Sequence, residues 1–357
     1  MRRVMKLVPV LIAGALVAAG CGGDDDETTS AGGGTASCKP AGTSQLKVGL
    51  AYDIGGRGDK SFNDSAARGL DKAKCDLGLN QVQELEATAG EADAAKEERL
   101  RTLADAGFNP IIGVGFAYAA ALGKVAKEFP DVKFGIVDDA SEASTGDNIS
   151  NLIFAEEQGS YLVGAAAALK SPNHHIGFIG GVNVPLIQKF EAGYEAGAKA
   201  VDPSIKIDVQ YLTQPPDFTG FNAPDKGKIA AQAMFQAGAD VVYHAAGGSG
   251  SGLFDAAADA QKLAIGVDSD QYLTAPAADQ PWILTSMIKH VDVAVFDFIS
   301  KVNSNQFQAG PTVYDLKVGG VAYSTQNTKI DDIKSKLDDY AQQITSGSVT
   351  VPTAPAG

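Results

Sequence analysis

Short apolar runs alternate with longer amphipathic segments along most of the chain. Runs of about four to eight residues rich in branched and aromatic side chains predict β-strands, and segments whose apolar residues recur three or four positions apart predict α-helices. The predicted strands are Leu46–Tyr52, Val82–Ala87, Pro110–Val114, Lys133–Val137, Asn151–Phe154, Ile176–Ile179, Ile205–Leu212, Asp240–His244, Ala264–Val267, Ile283–Ser286, Tyr314–Lys317 and Gly320–Tyr323. The predicted helices are Asn63–Leu77, Glu91–Ala106, Ala117–Phe129, Tyr161–Leu169, Pro185–Ala200, Lys226–Ala237, Gly252–Gln261, Val291–Val302 and Ile330–Ile344.

This regular alternation predicts the α/β class, with parallel sheets that carry helices on both faces. The strands fall into two groups, so we expect two doubly wound parallel-sheet lobes with a ligand cleft between them. The N-terminal lobe is predicted over residues 46–155 plus about 290–318, and the C-terminal lobe over 156–289 plus about 319–345. Residues 346–357 are predicted to be a flexible tail.

The first 20 residues have the features of an export signal. Arg2, Arg3 and Lys6 precede the apolar segment Leu7–Ala19, which is too short to span a bilayer as a helix. Small residues then lead to Cys21, which occupies the position of the lipidated cysteine in a bacterial lipoprotein. The alternative is a plain secretory signal followed by a chance cysteine. Residues 21–45 are rich in Gly, Ser, Thr and Asp and predict a lipidated, flexible tether to the outer face of the cell membrane.

Two further cysteines, Cys38 and Cys75, precede the first strand and lie near the end of the first helix. These two positions fall at the same end of a βα unit, and an exported protein occupies a compartment where disulfides persist. The sequence therefore favours a Cys38–Cys75 disulfide over two unpaired thiols.

Composition and charge exclude several classes of function. Of the 357 residues, 45% are hydrophobic and 20% are charged, as in ordinary globular proteins. The formal charge of −14 argues against a nucleic-acid-binding protein, which needs clustered Lys and Arg. The four His have no metal-ligand spacing, and no catalytic constellation stands out, so we predict no metal, no cofactor and no enzymatic activity. The 41 Gly predict many tight turns where strands lead into helices.

Unusual residues gather in the turns after the predicted strands, where the ligands of open parallel sheets bind. Aromatic rings near these turns suit a flat ring by stacking, carboxylates suit hydroxyl or N–H groups, and glycines allow a ligand to approach the backbone. The candidate ligand-binding residues are Asp53, Phe62, Asn63, Gly115, Phe116, Asp138, Phe190, Gly247, Gly248, Asp268 and Lys289. The alternatives are helix N-caps for the Asp residues, core packing for the Phe residues and a solvated side chain for Lys289.

Five short runs in these turns resemble the basic membrane protein family. They are Gly58-Asp59-Lys60-Ser61-Phe62-Asn63-Asp64, Gly113-Val114-Gly115-Phe116, Phe178-Ile179-Gly180-Gly181, Lys189-Phe190-Glu191-Ala192-Gly193-Tyr194 and Ala246-Gly247-Gly248-Ser249-Gly250. The resemblance extends from about Leu46 to Ile344. It implies the type I periplasmic-binding-protein fold, with two lobes joined by three crossings, in a lipoprotein that binds nucleosides for an ABC transporter.

The resemblance also implies residue roles. Phe62 and Phe190 would stack on the ligand, while Asp53, Asn63, Asp268 and Lys289 would bind base and ribose, and Gly247 would allow close backbone approach. The expected ligand is a nucleoside, with a purine favoured. The expected protein partners are an ABC permease and its ATPase, and the receptor is expected to be a monomer. The alternative is a protein of the same fold that binds a sugar or another small polar ligand. An exported nucleoside hydrolase is a less favoured alternative.

Overall fold

The computed structural model describes residues 42–356, and two six-stranded sheets form its framework. The strands are β1 Lys47–Tyr52, β2 Gln81–Glu86, β3 Ile111–Gly113, β4 Phe134–Val137, β5 Ile149–Phe154, β6 His175–Val182, β7 Lys206–Thr213, β8 Val241–Ala245, β9 Leu263–Asp268, β10 Ile283–Lys289, β11 Gly310–Tyr314 and β12 Val321–Tyr323. The helices are α1 Phe62–Asp76, α2 Asp93–Asp105, α3 Ala119–Glu128, α4 Glu156–Leu169, α5 Pro185–Val201, α6 Pro224–Gln236, α7 Gly250–Ala260, α8 Gln271–Thr274, α9 Val291–Asn303 and α10 Lys334–Thr345.

The two sheets have equivalent strand orders. The first runs β11-β5-β4-β3-β1-β2, and the second runs β12-β10-β9-β8-β6-β7. Every pairing is parallel except that of β10 with β12. The sequence prediction of an α/β protein with two doubly wound sheets is therefore confirmed. Strands β4 and β9 occupy the same place in their respective sheets, as do β5 and β10.

We call each sheet with its packed helices a lobe. The first lobe contains the first sheet with α1, α2, α3 and α9, and the second contains the second sheet with α4 to α8 and α10. The chain passes from one lobe to the other after β5, after β10 and between β11 and β12. Each sheet is covered by helices on both faces, and fully buried apolar residues such as Leu50, Ile112, Phe178 and Val241 fill the core.

Helices α4 and α5 pack closely because glycine lies at their contact. A Cβ atom at Gly193 would lie 2.1 Å from the backbone oxygen of Glu157, and one at Gly197 would lie 1.9 Å from that of Tyr161. Any larger residue would force the two helices apart. These glycines therefore fix the position of the α5 residues that face the cleft between the lobes.

Three local features differ from the sequence prediction. Strand β11 is Gly310–Tyr314 rather than Tyr314–Lys317; it contains Pro311, which is tolerated because β11 is an edge strand that pairs only with β5. Helix α4 begins at Glu156, before the apolar periodicity starts at Tyr161. Near the C-terminus, Val351 is buried against Tyr161, Leu162 and Ile344, whereas residues 352–356 are mostly exposed.

The described body also begins slightly before the predicted first strand. Ser44 is buried; its backbone N–H donates to Leu77 O at 2.9 Å, and its hydroxyl donates to Asn303 Oδ1 at 2.6 Å. The predicted signal peptide, Cys21 and Cys38 lie outside the described residues. Within residues 42–356, no helix combines the length and the apolar character needed to cross a membrane.

Candidate functional site

A cleft that holds about 570 Å³ of space, part of it open to solvent, lies between the lobes at the carboxyl ends of the strands. The first lobe contributes Asp53, Ile54, Asp59, Phe62, Asn63, Gly115, Phe116 and Asp138; the second contributes Leu186, Ile187, Phe190, Phe221, Ala245, Ala246, Gly247, Val267, Asp268 and Lys289. The structure thus brings together all the residues predicted from sequence except Gly248. Gly248 lines a neighbouring depression instead, together with Asn222 and Ser251, because the turn at Gly247 directs the chain away from the cavity.

The centre of the cavity floor is a buried lysine between two carboxylates. Lys289 Nζ donates to Asp138 Oδ2 at 2.6 Å and lies 3.8 Å from Asp268 Oδ1. The Lys289 side chain is only 2% exposed. Burial alone would lower the pKa of Lys289, but the Asp138 and Asp268 carboxylates outweigh it, so the pKa of Lys289 is raised and the amine stays charged.

Aromatic rings surround the same ammonium group. Lys289 Nζ lies 4.6 Å from the ring centre of Phe62, 5.4 Å from that of Phe154 and 5.5 Å from that of Phe190. Ring faces attract a cation at these distances. The rings therefore help to hold the lysine charge in a site that contains little water-exposed surface.

Asp138 and Asp268 are structural equivalents. Asp138 directly follows β4, and Asp268 ends β9, the strand at the same place in the second sheet. Both adopt left-handed backbone conformations, with φ of 65° and 62°. Non-glycine residues rarely adopt this conformation, and such strain concentrates at functional sites. The backbone at both positions aims a carboxylate at Lys289.

Several carboxylate oxygens in the cavity accept no hydrogen bond from a described residue. Asp138 Oδ1 is buried without a hydrogen-bond partner within the described part of the chain. Asp53 Oδ1 accepts the backbone N–H of Ile54 at 2.7 Å, whereas Asp53 Oδ2 accepts none from residues 42–356. Burial raises the pKa of Asp53 to about 6. Because a buried acceptor without a donor is costly, Asp138 Oδ1 favours a ligand that brings its own N–H or O–H groups, and Asp53 Oδ2, on a half-buried side chain, can accept from the same ligand.

Gly115 holds the chain against Asp53. Its φ is 104°, and a Cβ there would lie 2.7 Å from Asp53 Oδ2. A side chain at this position would therefore strain the backbone and displace the carboxylate.

Asn63 lines the cavity but its amide already has protein partners. Oδ1 accepts the backbone N–H of Asp53 at 3.1 Å, and Nδ2 donates to Ile54 O at 3.3 Å and to Asp59 Oδ2 at 3.1 Å. In this geometry Asn63 orients the loop after β1 rather than offering its amide to a ligand.

Asp59 and Phe221 line the cavity but are absent from the sequence-based candidates. The Asp59 carboxylate accepts the backbone N–H groups of Ser61, Asn63 and Asp64 at the start of α1, at 2.9, 2.8 and 3.1 Å, and burial raises its pKa to about 6. Phe221 lies in a turn, the same signal that singled out Phe62 and Phe116, and could have been found in that way. Both it and Phe218 contact Phe116 edge-on across the lobes, with ring centres 6.4 and 5.9 Å apart.

In the run from Lys189 to Tyr194, one residue lines the cavity and others make structural contacts. Phe190 faces the cavity, whereas Lys189 Nζ donates to Phe154 O at 2.9 Å and pairs with the buried Glu156. Gly193 makes the close contact with α4 described above. Only one member of the motif therefore lines the cavity.

Among the described residues, no group of three or more His, Cys, Asp or Glu side chains is placed to hold a metal ion. Cys75 is disulfide-bonded. Because Cys38 lies outside the described residues, the Cys38–Cys75 pairing stays a prediction.

Comparison with known proteins agrees with this architecture. A model of the Bmp family, described as "ABC transporter substrate-binding protein PnrA-like", matches residues 46–354. The chain is 36% identical to a CD4+ T-cell-stimulating antigen of Listeria innocua, over 97% of both chains. It is 33% identical to the ABC transporter nucleoside-binding protein BmpA of Lactococcus lactis, over 99% of both chains.

Among solved structures, an ABC transporter solute-binding protein of Aeropyrum pernix superposes with a TM-score of 0.76 at 27% identity, covering 87% of this chain and 94% of that one. The fold is thus that of the type I periplasmic solute-binding proteins, as the resemblance implied. The two equivalent sheets, the cavity between them and the match over almost all of the described residues lead to one conclusion: this chain belongs to the Bmp family of ABC transporter substrate-binding proteins.

Proposed function

We propose that this protein is an extracytoplasmic receptor that binds a nucleoside, with a purine base preferred, in the cavity between its lobes and delivers it to an ABC permease. The observation that carries the proposal is the combination of ring faces and partner-free carboxylate oxygens around Lys289. A nucleoside has a flat base for the rings and N–H and O–H donors for the carboxylates. The name of the Lactococcus lactis relative supports this ligand class.

The base fits the first-lobe side of the cavity. Phe62 in this lobe and Phe190 from the second lobe offer aromatic surface, and Asp53 Oδ2 and Asp138 Oδ1 are acceptors to which no described residue donates. A base edge that carries N–H groups satisfies them, as in hypoxanthine or guanine, which have an N1–H. Base–aromatic stacking contributes about 1–3 kcal/mol per base.

The ribose fits the second-lobe side. Asp268 can accept hydrogen bonds from hydroxyl groups, Lys289 has N–H donors besides the one used by Asp138, and Gly247 has no side chain to obstruct the sugar. The carboxylates Asp53, Asp59, Asp138 and Asp268 face a single lysine among the lining residues. A phosphate would be repelled there, so the proposed ligand is the nucleoside and not the nucleotide.

The cellular arrangement follows from the N-terminus. Lipidation of Cys21 would hold the receptor at the outer face of the membrane, and residues 21–45 would let the body reach its permease. The receptor would act as a monomer without a cofactor.

Radiolabelled palmitate should enter the wild-type chain but not a Cys21→Ala variant, which should appear in the medium.

Calorimetry tests the ligand class. The mature chain with Cys21→Ser is titrated with inosine, guanosine, adenosine, uridine, their 5′-monophosphates and a panel of hexoses. Tight binding of a purine nucleoside, weak binding of the monophosphate and recovery of intact nucleoside by chromatography support the proposal. Preference for a hexose would favour a sugar receptor of the same fold, and release of free base would favour a hydrolase.

A further inference from the structure

A set of buried hydrogen bonds joins the two lobes beside the cavity. Ser61, just before α1 in the first lobe, donates from Oγ to Asp268 Oδ2 at 2.8 Å. Ser269, in the second lobe, returns a hydrogen bond from its Oγ to the backbone oxygen of Ser61 at 2.7 Å. At the exposed rim, Arg68 Nη2 of α1 donates to Ser269 Oγ at 3.0 Å.

The two serines are as buried as the core. Ser61 is 0% exposed and Ser269 is 2% exposed. Ser61 and Asp268 are 207 positions apart in the sequence and belong to different lobes. Rotating one lobe away from the other therefore has to break these hydrogen bonds or distort them, and a carboxylate hydrogen bond is stronger than one between neutral groups.

Asp268 also belongs to the binding site. Its Oδ2 is held by Ser61, and its Oδ1 faces Lys289 in the cavity. The hydrogen bond from Ser61 thus determines which oxygen of Asp268 faces the ligand. It also stabilises the charged form of a carboxyl group whose pKa is raised by burial.

We propose that Ser61 and Ser269 form an interlobe latch: the two serines hold the lobes closed over the ligand, and Ser61 is a positioning residue that sets the orientation of Asp268. The proposal rests on the proposed function for its ligand. The latch and the ligand share Asp268, so closure and binding stabilise each other. The latch residues should therefore control ligand release more than they control folding.

Ser65 supplies a matched control. It lies on α1, one turn after Ser61, is equally buried, and accepts the backbone N–H of Asp292 at 3.2 Å. Asp292 is on α9, so that hydrogen bond stays within the first lobe. Ser65→Ala removes a buried serine hydroxyl close to Ser61 without touching the contact between lobes.

The test compares Ser61→Ala, Ser269→Ala and Ser65→Ala in the mature chain. Release of inosine is followed by stopped-flow displacement with a fluorescent nucleoside, and lobe closure by small-angle scattering with and without ligand. We expect Ser61→Ala and Ser269→Ala to release ligand at least about 10-fold faster, as the loss of a hydrogen bond to a charged group implies, and to scatter as more open particles. Ser65→Ala should release ligand within about twofold of wild type, even if its Tm falls as far as the Tm of the two latch variants.

Equal release rates in all three variants, or unchanged release in Ser61→Ala, would overturn the latch. If wild-type protein bound no nucleoside, the proposed function would fail, but scattering of the ligand-free variants would still test the latch. In that case, radii of gyration of Ser61→Ala and Ser269→Ala equal to that of Ser65→Ala would reject it, and larger radii in the two latch variants would support it.

Discussion

Lys289 Nζ lies 2.6 Å from Asp138 Oδ2, and this buried ion pair joins the end of β10 in the second lobe to the residue after β4 in the first. The same amine faces Asp268, the structural equivalent of Asp138. One positive charge therefore neutralises carboxylates from both lobes at the point where the ligand is proposed to bind.

Replacing Lys289 with methionine should abolish ligand binding and lower the free energy of unfolding by about 3–5 kcal/mol, because two buried carboxylates would lose their counter-charge. Urea unfolding and calorimetry measure the two effects. The control is Lys199→Met, which breaks an exposed pair with Glu195 on α5 and should cost less than about 0.5 kcal/mol. Near-wild-type binding by Lys289→Met would contradict the assigned role.

Ligand affinity should increase as the pH rises from about 5 to about 7. The pKa of Asp53 is raised by burial from 3.8 to about 6. A ligand N–H that donates to Asp53 Oδ2 favours the carboxylate, so binding lowers this pKa and releases a proton. Calorimetry in two buffers with different ionisation enthalpies measures the release.

Asp53→Asn should remove that proton release, since the amide keeps the oxygen that accepts from Ile54 but does not titrate. Without ligand, the variant should also lack the pH dependence of stability that Asp53 gives the wild-type protein. With a folded pKa above the unfolded one, the contribution of Asp53 to stability declines as the pH rises from about 4 to about 6 and is constant above. An affinity that falls with rising pH would show instead that protonated Asp53 donates to the ligand.

Gly115→Ala should weaken binding because its Cβ would meet Asp53 Oδ2. Gly107→Ala is the matched control: Gly107 also has a positive φ, 78°, but a Cβ there would have no atom within 4 Å. Both variants should lose about 1–3 kcal/mol of stability from backbone strain. Equal ligand affinities in the two variants, measured by calorimetry, would argue against the contact with Asp53.

Phe62→Leu should weaken nucleoside binding roughly 5- to 150-fold, which corresponds to the loss of one stacked base. Phe296→Leu is its control, since Phe296 on α9 is also half-buried and also has a lysine, Lys72, 4.6 Å from its ring centre, but it lies away from the cavity. Calorimetry with a purine nucleoside should leave the control near wild type. Similar losses in both variants would indicate a general effect of removing a ring.

The alternation of strands and helices, the two lobes and the edge at which the site lies could all be predicted from the chain. Hydrophobic periodicity reports whether a segment is buried on one face or on two, and in parallel sheets the carboxyl ends of the strands meet at one edge. That is why Asp53, Asp138, Asp268 and the flanking glycines could be found in the turns. The position of strand β11 was predicted wrongly because it is a short edge strand with Pro311 and exposed residues, so no apolar run marks it.

Only the tertiary structure decided which groups meet. Sequence position places Asn63 and Gly248 near the site, but local hydrogen bonding occupies the amide of Asn63, and the turn at Gly247 directs Gly248 away. The contacts of Ser61 with Asp268 and of Lys289 with Asp138 span more than a hundred positions, so no local pattern encodes them. The sequence by itself determined two lobes with polar residues at their facing edges. The packing of one lobe against the other determined that the buried amine of Lys289 lies beside both Asp138 and Asp268.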